Sequence, residues 1–398
     1  MKSLDLVILA GGKGTRISNL LGRKPKPMAN FNKKPFIEYI LQTYSKYRFQ
    51  NIYILGGFKF RQIFNKFEKK YYNCNKITCI KEKKLMGTGG ALNNLKKKNI
   101  NDFILINGDT FLEVDFNNLV KSCDKNSLGS MTLVENKDYK SNKKLVAIGL
   151  KNKKIVYKKF SKLMNGGVYF FKKKILKFIH NKNLSLENDT LPGLIKKKKI
   201  AGIINRNFFI DIGTPYNFNN AAALLKKNCT RPAAFLDRDG VINYDTGYVH
   251  KIKNFKLRPG VLKGLKYLKS KNYYIFIVTN QSGIARGLYT HNDFYKLHND
   301  LKEKFQKNNI FFDDINFCPY HPNAELKKFR KNSTLRKPGN LMIKQLRTKW
   351  HTERNKSFMI GDQVVDKICA QKSNLYFEFA KNNFFSQVKN ILKKFSNY

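Results

Sequence analysis

Two aspartates follow an apolar run near the middle of the chain. Residues 233–236 read Ala-Ala-Phe-Leu, which predicts a short buried strand, and Asp237 and Asp239 come directly after it. Alternate residues of a strand face the same side, so the two carboxylates are expected to project together. Their repulsion must then be offset by a divalent cation or by a shared proton. One aspartate could attack a phosphorus atom while the other carries the proton.

Three further polar residues are predicted at strand tips in the second half. Thr279 and Asp362 each end an apolar run, and Lys337 lies in the stretch RKPG. A hydroxyl can bind a phosphoryl oxygen, and a lysine can neutralise the charge that develops on it. Asp362 would complete an oxygen-rich Mg²⁺ site with Asp237. These residue types therefore predict phosphoryl chemistry.

The first half has a different pattern, in which glycine-rich turns follow apolar runs. Residues 11–16 read Gly-Gly-Lys-Gly-Thr-Arg, and backbone N–H groups in such a turn can cradle phosphate while Arg16 adds a charged donor. The spacing fits neither a Walker loop nor a dinucleotide fingerprint. Asp109 and Asp211 end two later predicted strands, which suits a metal–nucleotide site on a parallel sheet.

Composition bounds the organisation of the chain. Its 398 residues favour two or three domains, and we place the domains at residues 1–228 and 232–398. The net charge of +51 is spread over nearly every segment, so it indicates compositional bias that favours anionic substrates, not a nucleic-acid stripe. Six cysteines without a CxxC pair predict a reduced, cytoplasmic protein, and no apolar run has the length of a membrane helix.

The motifs of the first half, in order, are LAGGKGTR, KPKPM, LMGTGGAL, NGDT, NGGVY and DIGTP. Together they resemble the sugar-1-phosphate nucleotidylyltransferases over residues 1–225. The resemblance implies a Rossmann-like fold that joins an NTP to a sugar 1-phosphate and releases pyrophosphate. By motif, it assigns the NTP to Gly11, Gly12, Gly14, Thr15 and Arg16, a phosphate to Lys26, the nucleotide pocket to Gly87 and Gly89, Mg²⁺ to Asp109 and Asp211, and the sugar to Asn165, Gly166 and Glu187.

One segment departs from that family. Its members carry a Glu-Lys pair before NGGVY, whose lysine contacts the sugar phosphate, but this chain reads YKKFSKLMNGG. Lys159 or Lys162 is expected to replace that lysine. The SLENDTLP segment and the short stretch after DIGTP most resemble the heptose 1-phosphate guanylyltransferase branch, so GTP is the favoured NTP.

The motifs of the second half are DRDGVIN, GYVH, TNQSGIARG, CPYHP, RKPG and GD. From residue 232 onward they resemble the haloacid-dehalogenase-like phosphatases, in the branch of the heptose 1,7-bisphosphate and histidinol-phosphate phosphatases. With both resemblances, the predicted fold class is α/β, as two Rossmann-like three-layer αβα domains in tandem. The second resemblance makes Asp237 the nucleophile and Asp239 the general acid/base, and it has Thr279 and Lys337 stabilise the phosphoryl group. It assigns Mg²⁺ to Asp237, Asp362 and the backbone carbonyl of Asp239. It makes Arg336 and Asn280 substrate contacts, and Asp366 would orient Lys337.

A second departure concerns zinc. Many members of this branch hold structural zinc on a loop with a CxH and a CxC pair. Here Tyr320, Ser333 and Leu335 replace three of those ligands, so Cys318 and the adjacent His321 are too few for a closed tetrahedral site. We expect no zinc, a loop held by packing, and a buried Cys318.

The two resemblances fit consecutive steps. We expect Mg²⁺-dependent removal of the C7 phosphate of D-glycero-D-manno-heptose 1,7-bisphosphate, then transfer of a nucleotidyl group from NTP to heptose 1-phosphate. Neither a specific nucleic acid nor a membrane is an expected partner, and the oligomeric state, the anomer and the NTP base stay open. The alternatives are another sugar phosphate or histidinol phosphate, a nucleic-acid end-processing phosphatase, and a non-catalytic sugar-nucleotide sensor.

Overall fold

The computed structural model describes residues 4–135, 147–179 and 184–396. The chain forms two compact units, one of Met1–Thr43 and Phe49–Leu225, the other of Tyr44–Arg48 and Lys226–Tyr398. The predicted domain ranges, 1–228 and 232–398, remain our proposal for the functional division. None of the helices in the described residues is both long enough and apolar enough to cross a membrane.

The first unit is built on a large mixed sheet. In chain order, its described strands are β1 Leu4–Leu9, β2 Asn30–Phe31, β3 Lys34–Pro35, β4 Ile52–Gly56, β5 Tyr71–Tyr72, β6 Asn75–Lys81, β7 Asp102–Asn107, β8 Thr110–Leu112, β9 Gly129–Glu135, β10 Ala147–Lys151, β11 Lys154–Lys158, β12 Leu163–Phe171, β13 Ile200–Ile204 and β14 Phe209–Asp211. The main sheet has the order β10-β11-β13-β9-β12-β7-β1-β4-β6-β5, and β14 and β8 form a separate pair.

The expected parallel sheet is therefore only part of this unit. Strands β6, β4, β1 and β7 are parallel, whereas β12 runs antiparallel to β7 and β9. Strands β10 and β11 form a hairpin whose two turn residues, Asn152 and Lys153, both have positive φ, as a type I′ turn requires. The central strand β1 is buried along residues 6–9, which explains its continuous apolar run.

Helices cover this sheet. They are α1 Ser18–Leu21, α2 Phe36–Ser45, α3 Phe60–Phe67, α4 Gly87–Ala91, α5 Asn93–Lys96, α6 Phe116–Ser122, α7 Leu191–Lys196 and α8 Pro215–Cys229. A single π-helical turn, Leu186–Thr190, precedes α7. One apolar cluster joins side chains of β1, β7 and β12 to those of this turn and α7.

The second unit is a five-stranded parallel sheet in the order β17-β16-β15-β18-β19. Its strands are β15 Arg231–Leu236, β16 Tyr274–Asn280, β17 Asp314–Cys318, β18 Thr352–Gly361 and β19 Tyr376–Phe379, and its helices are α9 Val261–Ser270, α10 His291–Gln306, α11 Leu341–Lys349, α12 Val364–Gln371 and α13 Phe384–Ser396. Alternate residues of β15 enter two clusters, Ala234 and Leu236 with α9, α10 and α13, and Ala233 and Phe235 with α11 and α12. The three-layer prediction is confirmed here.

Candidate active sites

A cavity of about 480 Å³ lies at the carboxyl end of β1. It is lined by Leu9, Ala10, Gly11, Gly12, Lys13, Lys26, Pro27, Glu82, Leu85, Gly87, Thr88, Ala91, Asn107 and Asp109. The predicted nucleotide residues Gly11, Gly12 and Gly87 therefore do come together, on two glycine-rich turns. Gly14 has φ +68, and a Cβ there would lie 2.8 Å from Leu21 Cδ1, so this tight turn requires glycine.

Besides Gly14, three predicted residues of this group are not among those that line the cavity. Thr15 and Arg16 are exposed on the short helical turn that follows the loop. Gly89 is buried, its N–H donates to the Leu184 carbonyl at 2.8 Å, and a Cβ would lie 3.1 Å from the same oxygen. Close backbone packing is one reason for glycine at position 89, and its predicted contact with the nucleotide stays a prediction.

Two carboxylates meet beside the cavity. Asp109 follows β7, and Asp211 ends β14, which pairs with β8 in the small sheet and not in the main one. Burial, and next the charge of Asp109, raise the pKa of Asp211 to about 6. The raised pKa shows that the negative charges of the two carboxylates are not fully neutralised by their neighbours. Carboxylate oxygens are the ligands that a hard divalent cation prefers, so Asp109 and Asp211 could hold one.

Two cations border this pair. The Lys26 ammonium lies 2.7 Å from Asp109 Oδ2. A Cβ on Gly213 would lie 3.3 Å from both Lys26 Nζ and Arg16 Nη2. The structure thus brings Arg16, Lys26 and both aspartates around one point, where phosphate groups would find positive charge on either side.

A hydrogen-bonded chain links the predicted sugar residues. Asn165 donates to the hydroxyl of Tyr169 at 2.5 Å, and that hydroxyl donates to Glu187 at 3.1 Å. The hydroxyl of Thr88 donates to the other oxygen of Glu187 at 2.8 Å and accepts from the Leu186 amide. Asn165 and Glu187 are therefore held together by Tyr169 and Thr88, which sequence reasoning missed although both lie in quoted motifs.

The other two predicted sugar contacts do not join this chain among the described residues. Gly166 is buried, and a Cβ there would lie 2.7 Å from the Thr132 hydroxyl, so packing explains this glycine. Lys159 is exposed before β12, with its ammonium 6.0 Å from the Phe160 ring centroid. The structure leaves the replacement for the missing lysine to Lys159 or Lys162, both exposed.

Glu82 is a cavity residue that the sequence did not reveal. It follows β6, is 7% exposed, and burial raises its pKa. A Cβ on Gly11 would lie 2.0 Å from Glu82 Oε1, so the carboxylate packs directly on the glycine loop. In the sequence Glu82 stands in the charged run KEKK, and only its place between a strand and a glycine-rich turn could have singled it out.

A buried ion-pair group lies at the carboxyl edge of the second sheet. Lys337 Nζ lies 2.8 Å from Asp237 Oδ2 and 2.6 Å from Asp366 Oδ1. Burial raises the pKa of Asp237, although the ammonium opposes this. Burial lowers the pKa of Lys337, but the two carboxylates together outweigh it and raise that pKa to about 12. Lysine therefore stays protonated between them.

The structure corrects the expected origin of Lys337. It lies in the loop that precedes α11, not at a strand tip. Its backbone is fixed by Asn280, whose amide nitrogen donates to the Lys337 carbonyl at 3.2 Å and whose amide oxygen accepts from the Lys337 N–H at 3.0 Å. These two bonds position Lys337 and leave the Asn280 amide one further N–H donor, so its predicted contact with substrate stays a prediction.

The carboxylate of Asp239 turns toward its neighbour in sequence. Both oxygens accept from the buried guanidinium of Arg238, with the shortest contact at 2.7 Å, and Asn243 donates at 2.9 Å. Gln281 donates to Asp239 Oδ2 at 3.1 Å and to the buried Thr279 hydroxyl at 2.9 Å. Arg238, which sequence reasoning missed, therefore offsets the charge of Asp239.

Three carboxylates of this unit are arranged as a cation site would need. Oxygens of Asp237, Asp362 and Asp366 lie within 4.8 Å of one another. Burial, then Asp366, raise the pKa of Asp362. The sequence did not predict Asp366 as a ligand. The side chain of Asp239 faces Arg238, so Asp239 could contribute only its backbone carbonyl oxygen to the cation. The donor set fits a divalent cation held by Asp237 and Asp362.

A group of basic side chains borders this centre. Nη1 of Arg336 and Nε of Arg286 are buried and have no hydrogen-bond partner in the described part of the chain. Burial, then the charges of Arg336 and Arg286, lower the pKa of His321, which places the three side chains close together. The predicted substrate residue Arg336 thus adjoins Lys337 with hydrogen-bonding capacity left over.

The loop that holds zinc in related phosphatases is packed differently here. Cys318 is fully buried in an apolar cluster, as predicted, and Tyr320 and Leu335 pack against that cluster. The Lys331 ammonium lies 4.3 Å from the centroid of the Tyr320 ring. A phenol and an aliphatic chain cannot replace thiolates, so the donor set does not fit zinc, and its absence stays a prediction.

Comparisons with known proteins extend these observations. Residues 6–228 match the family model described as nucleotidyl transferase, and residues 234–392 match the model described as polynucleotide kinase 3 phosphatase. The D-glycero-beta-D-manno-heptose-1,7-bisphosphate 7-phosphatase of Rhodopseudomonas palustris is 38% identical over 163 residues, which are 41% of this chain and 91% of that relative. The protein of the same name from Escherichia coli K12 is 39% identical over 144 residues, 36% of this chain and 75% of that relative.

Among solved structures, HddC from Yersinia pseudotuberculosis is 30% identical to this chain, with a TM-score of 0.47, and the match covers 55% of this chain and 98% of HddC. The nucleotidyl transferase model alone covers more than half of the chain. The chain therefore belongs to the nucleotidyl transferase family over residues 6–228 and to the family of the named 7-phosphatases over its second half, and it is both a nucleotidyltransferase and a phosphoric monoester hydrolase.

Proposed function

We propose that this protein carries out two consecutive steps of nucleotide-activated heptose synthesis in the cytoplasm. The phosphatase half would remove the C7 phosphate of D-glycero-D-manno-heptose 1,7-bisphosphate. The transferase half would join the resulting heptose 1-phosphate to a nucleotidyl group, from GTP by preference, and release pyrophosphate. The observation that carries the proposal is the similarity of the second half to phosphatases named for that bisphosphate, on one chain with a nucleotidyltransferase.

In the phosphatase site, Asp237 is the proposed nucleophile. Its carboxylate would attack phosphorus, forming an aspartyl phosphate as the bond from phosphorus to the sugar oxygen breaks. Asp239 would protonate the leaving oxygen and then take a proton from the water that hydrolyses the aspartyl phosphate. Lys337 and Thr279 would bind the phosphoryl oxygens as charge develops. Mg²⁺ held by Asp237, Asp362 and the Asp239 carbonyl would neutralise the same charge when bound.

The basic group beside this site supports a substrate with two phosphates. Arg336, which precedes Lys337, and its neighbour Arg286 hold unpartnered guanidinium nitrogens, and guanidinium binds phosphate through paired hydrogen bonds. The phosphate that is not hydrolysed would satisfy them. Arg286→Met should then lower kcat/KM for a sugar bisphosphate about tenfold or more and leave a monophosphate nearly unaffected. Arg347→Met is a matched control, because Arg347 also has unpartnered nitrogens in this unit.

In the transferase site, binding and positioning carry the proposed chemistry. Backbone N–H groups of Gly11 and Gly12, with Arg16 and Lys26, would hold the triphosphate, and Asn165 and Glu187 would hold the sugar. A phosphate oxygen of heptose 1-phosphate would then attack the α-phosphorus in line with departing pyrophosphate. Mg²⁺ held by Asp109 and Asp211 would offset the negative charge of both substrates when bound.

Glu82 supports the preference for GTP. Its buried carboxylate lines the cavity, and a carboxylate can only accept hydrogen bonds. The guanine edge presents two adjacent N–H donors, N1–H and the N2 amino group, which would pair with both carboxylate oxygens. Uracil and thymine present one donor flanked by carbonyl oxygens, which a carboxylate repels.

The deciding experiment follows two products in one reaction. The protein is incubated with Mg²⁺, with each anomer of heptose 1,7-bisphosphate separately, and with each NTP in turn. Release of phosphate and then of pyrophosphate, with GTP and one anomer, would support both steps and identify the anomer. Phosphate without pyrophosphate for every NTP would contradict the transferase assignment. Absence of phosphate would contradict the heptose assignment.

The second family description favours one other function, a nucleic-acid 3′-phosphatase. The charge of +51 would assist binding to any polyanion. The two functions are distinguished by measuring phosphate release when heptose bisphosphate and a 3′-phosphorylated oligonucleotide compete for the protein at about 150 mM salt. Preferential release of phosphate from the oligonucleotide would replace the heptose proposal.

A further inference from the structure

The side-chain amide of Gln281 bridges two residues of the phosphatase site. Its nitrogen donates to Asp239 Oδ2 at 3.1 Å and to Thr279 Oγ1 at 2.9 Å. Gln281 is 2% exposed and Thr279 is 1% exposed. A buried amide that meets two site residues with both of its hydrogens is placed to fix their separation.

The partners determine which way this amide faces. A carboxylate accepts and cannot donate, so the nitrogen of Gln281 must face Asp239. The amide oxygen accepts from the hydroxyl of Tyr289 at 2.6 Å. Because the Thr279 oxygen accepts from Gln281, its own hydrogen is directed elsewhere and is available to a phosphoryl oxygen. The amide therefore sets Thr279 as a donor toward the substrate.

Tyr289 is itself fixed from both sides. It is 5% exposed, and its ring stacks on that of His250 with centroids 4.9 Å apart and an interplanar angle of 12°. A Cβ on Gly283 would lie 2.2 Å from Tyr289 Cε1, so only glycine leaves room for the ring. The His250 imidazole also contacts the Tyr248 carbonyl, at 2.8 Å. Two motifs from the sequence, GYVH and TNQSGIARG, thus meet at Tyr289.

We propose that Gln281 is a positioning residue that holds the Asp239 carboxylate and the Thr279 hydroxyl in register, and that Tyr289, stacked on His250, holds the amide oxygen of Gln281 in place. This inference rests on the proposed roles of Asp239 and Thr279. It implies that Gln281 acts on two events, proton delivery to the leaving group and hydrogen bonding to the phosphoryl oxygens. Only the first depends on how poor the leaving group is.

The test uses this dependence in the full chain. Gln281→Met and Tyr289→Phe are compared with Gln387→Met, which removes another buried amide of the same unit that contacts Glu378 and Phe379. Each variant is assayed for kcat/KM with p-nitrophenyl phosphate, whose leaving group needs no proton, and with a sugar phosphate that the wild type hydrolyses. Thermal unfolding of each variant reports the folded fraction.

We expect Gln281→Met to lower kcat/KM about 10²-fold for the sugar phosphate and about tenfold for p-nitrophenyl phosphate. Tyr289→Phe should also lower kcat/KM more for the sugar phosphate than for p-nitrophenyl phosphate, but by smaller factors. Gln387→Met should leave kcat/KM unchanged for both substrates. Equal losses on the two substrates, or wild-type rates in a folded Gln281→Met protein, would overturn the inference. If heptose bisphosphate is not hydrolysed, the heptose assignment fails, but the same comparison with another sugar phosphate still decides the role of Gln281.

Discussion

Lys26 and Lys337 each contact an aspartate carboxylate, at 2.7 and 2.8 Å, but they do so in very different surroundings. The side chains of Lys26 and Asp109 are 12% and 26% exposed, beside an open cavity lined by glycine turns. Those of Lys337 and Asp237 are 2% and 10% exposed, and that of Asp366, the second partner of Lys337, is 1% exposed. The first site therefore offers space and backbone donors for a large ligand, whereas the second holds buried charges that are already paired.

The largest expected effect comes from removing the proposed nucleophile, which tests whether the two sites act independently. Asp237→Asn should lower phosphate release by about 10⁴-fold or more, because the amide cannot form an aspartyl phosphate. Pyrophosphate release from heptose 1-phosphate and NTP should remain at the wild-type rate, because the transferase site shares none of these side chains. Both products are measured in the same sample. A parallel fall in pyrophosphate release would show that the sites are not independent.

The two lysines test the role of burial directly. Lys337→Met removes the cation that pairs with two buried carboxylates and should lower the free energy of unfolding of its unit by about 3–5 kcal/mol. Lys26→Met removes a partly exposed pair and should cost about 1 kcal/mol or less. Urea unfolding, followed by a probe in each unit, gives both values. Similar costs for the two variants would contradict the contrast in burial.

A substitution of Glu82 tests whether base selection in the transferase cavity depends on a buried charge. Glu82→Gln replaces an acceptor-only carboxylate by an amide that can donate to a base carbonyl. The ratio of kcat/KM for GTP to that for UTP or dTTP should fall about 10²-fold, near 2.7 kcal/mol of discrimination. The control is the phosphatase rate of the same variant, which should not change. An unaltered ratio would remove Glu82 from base recognition.

The smallest expected effect concerns stability and pH. The pKa of Asp211 is about 6 in the folded chain against 3.8 for the free group, so the metal-free protein loses stability as the pH rises from about 4 to 6, and the loss is complete above pH 6. Asp211→Asn should therefore stabilise the first unit by about 2 kcal/mol at pH 7.5 in EDTA. The gain should disappear as the pH falls toward 4, where Asp211 is protonated. Thermal unfolding of both proteins across this pH range measures the gain in stability. A gain that persists at pH 4 would show that the charge of Asp211 is not its cause.

Strand tips were the predictable part of these sites. Asp237, Asp362 and Asp109 follow apolar runs, and the carboxyl ends of parallel strands share one edge of a sheet. Gln281 and Glu82 could not be predicted, because their roles depend on partners that reach them only through packing. The family motif predicts Gly89 in a ligand pocket, and the fold adds a requirement that the motif does not state, which is room for the Leu184 carbonyl. Sequence identifies the residue type, but packing decides which neighbour needs it.

The contact between Gly11 and Glu82 also bears on how such a site can change over generations. A Cβ at position 11 would lie 2.0 Å from the Glu82 carboxylate, so the two positions are epistatic. Because that oxygen ends a flexible side chain, a larger residue at position 11 would be accommodated by movement of the Glu82 carboxylate. Such a movement would shift the proposed partner of the base. A lineage could therefore change its choice of base through a substitution at either position.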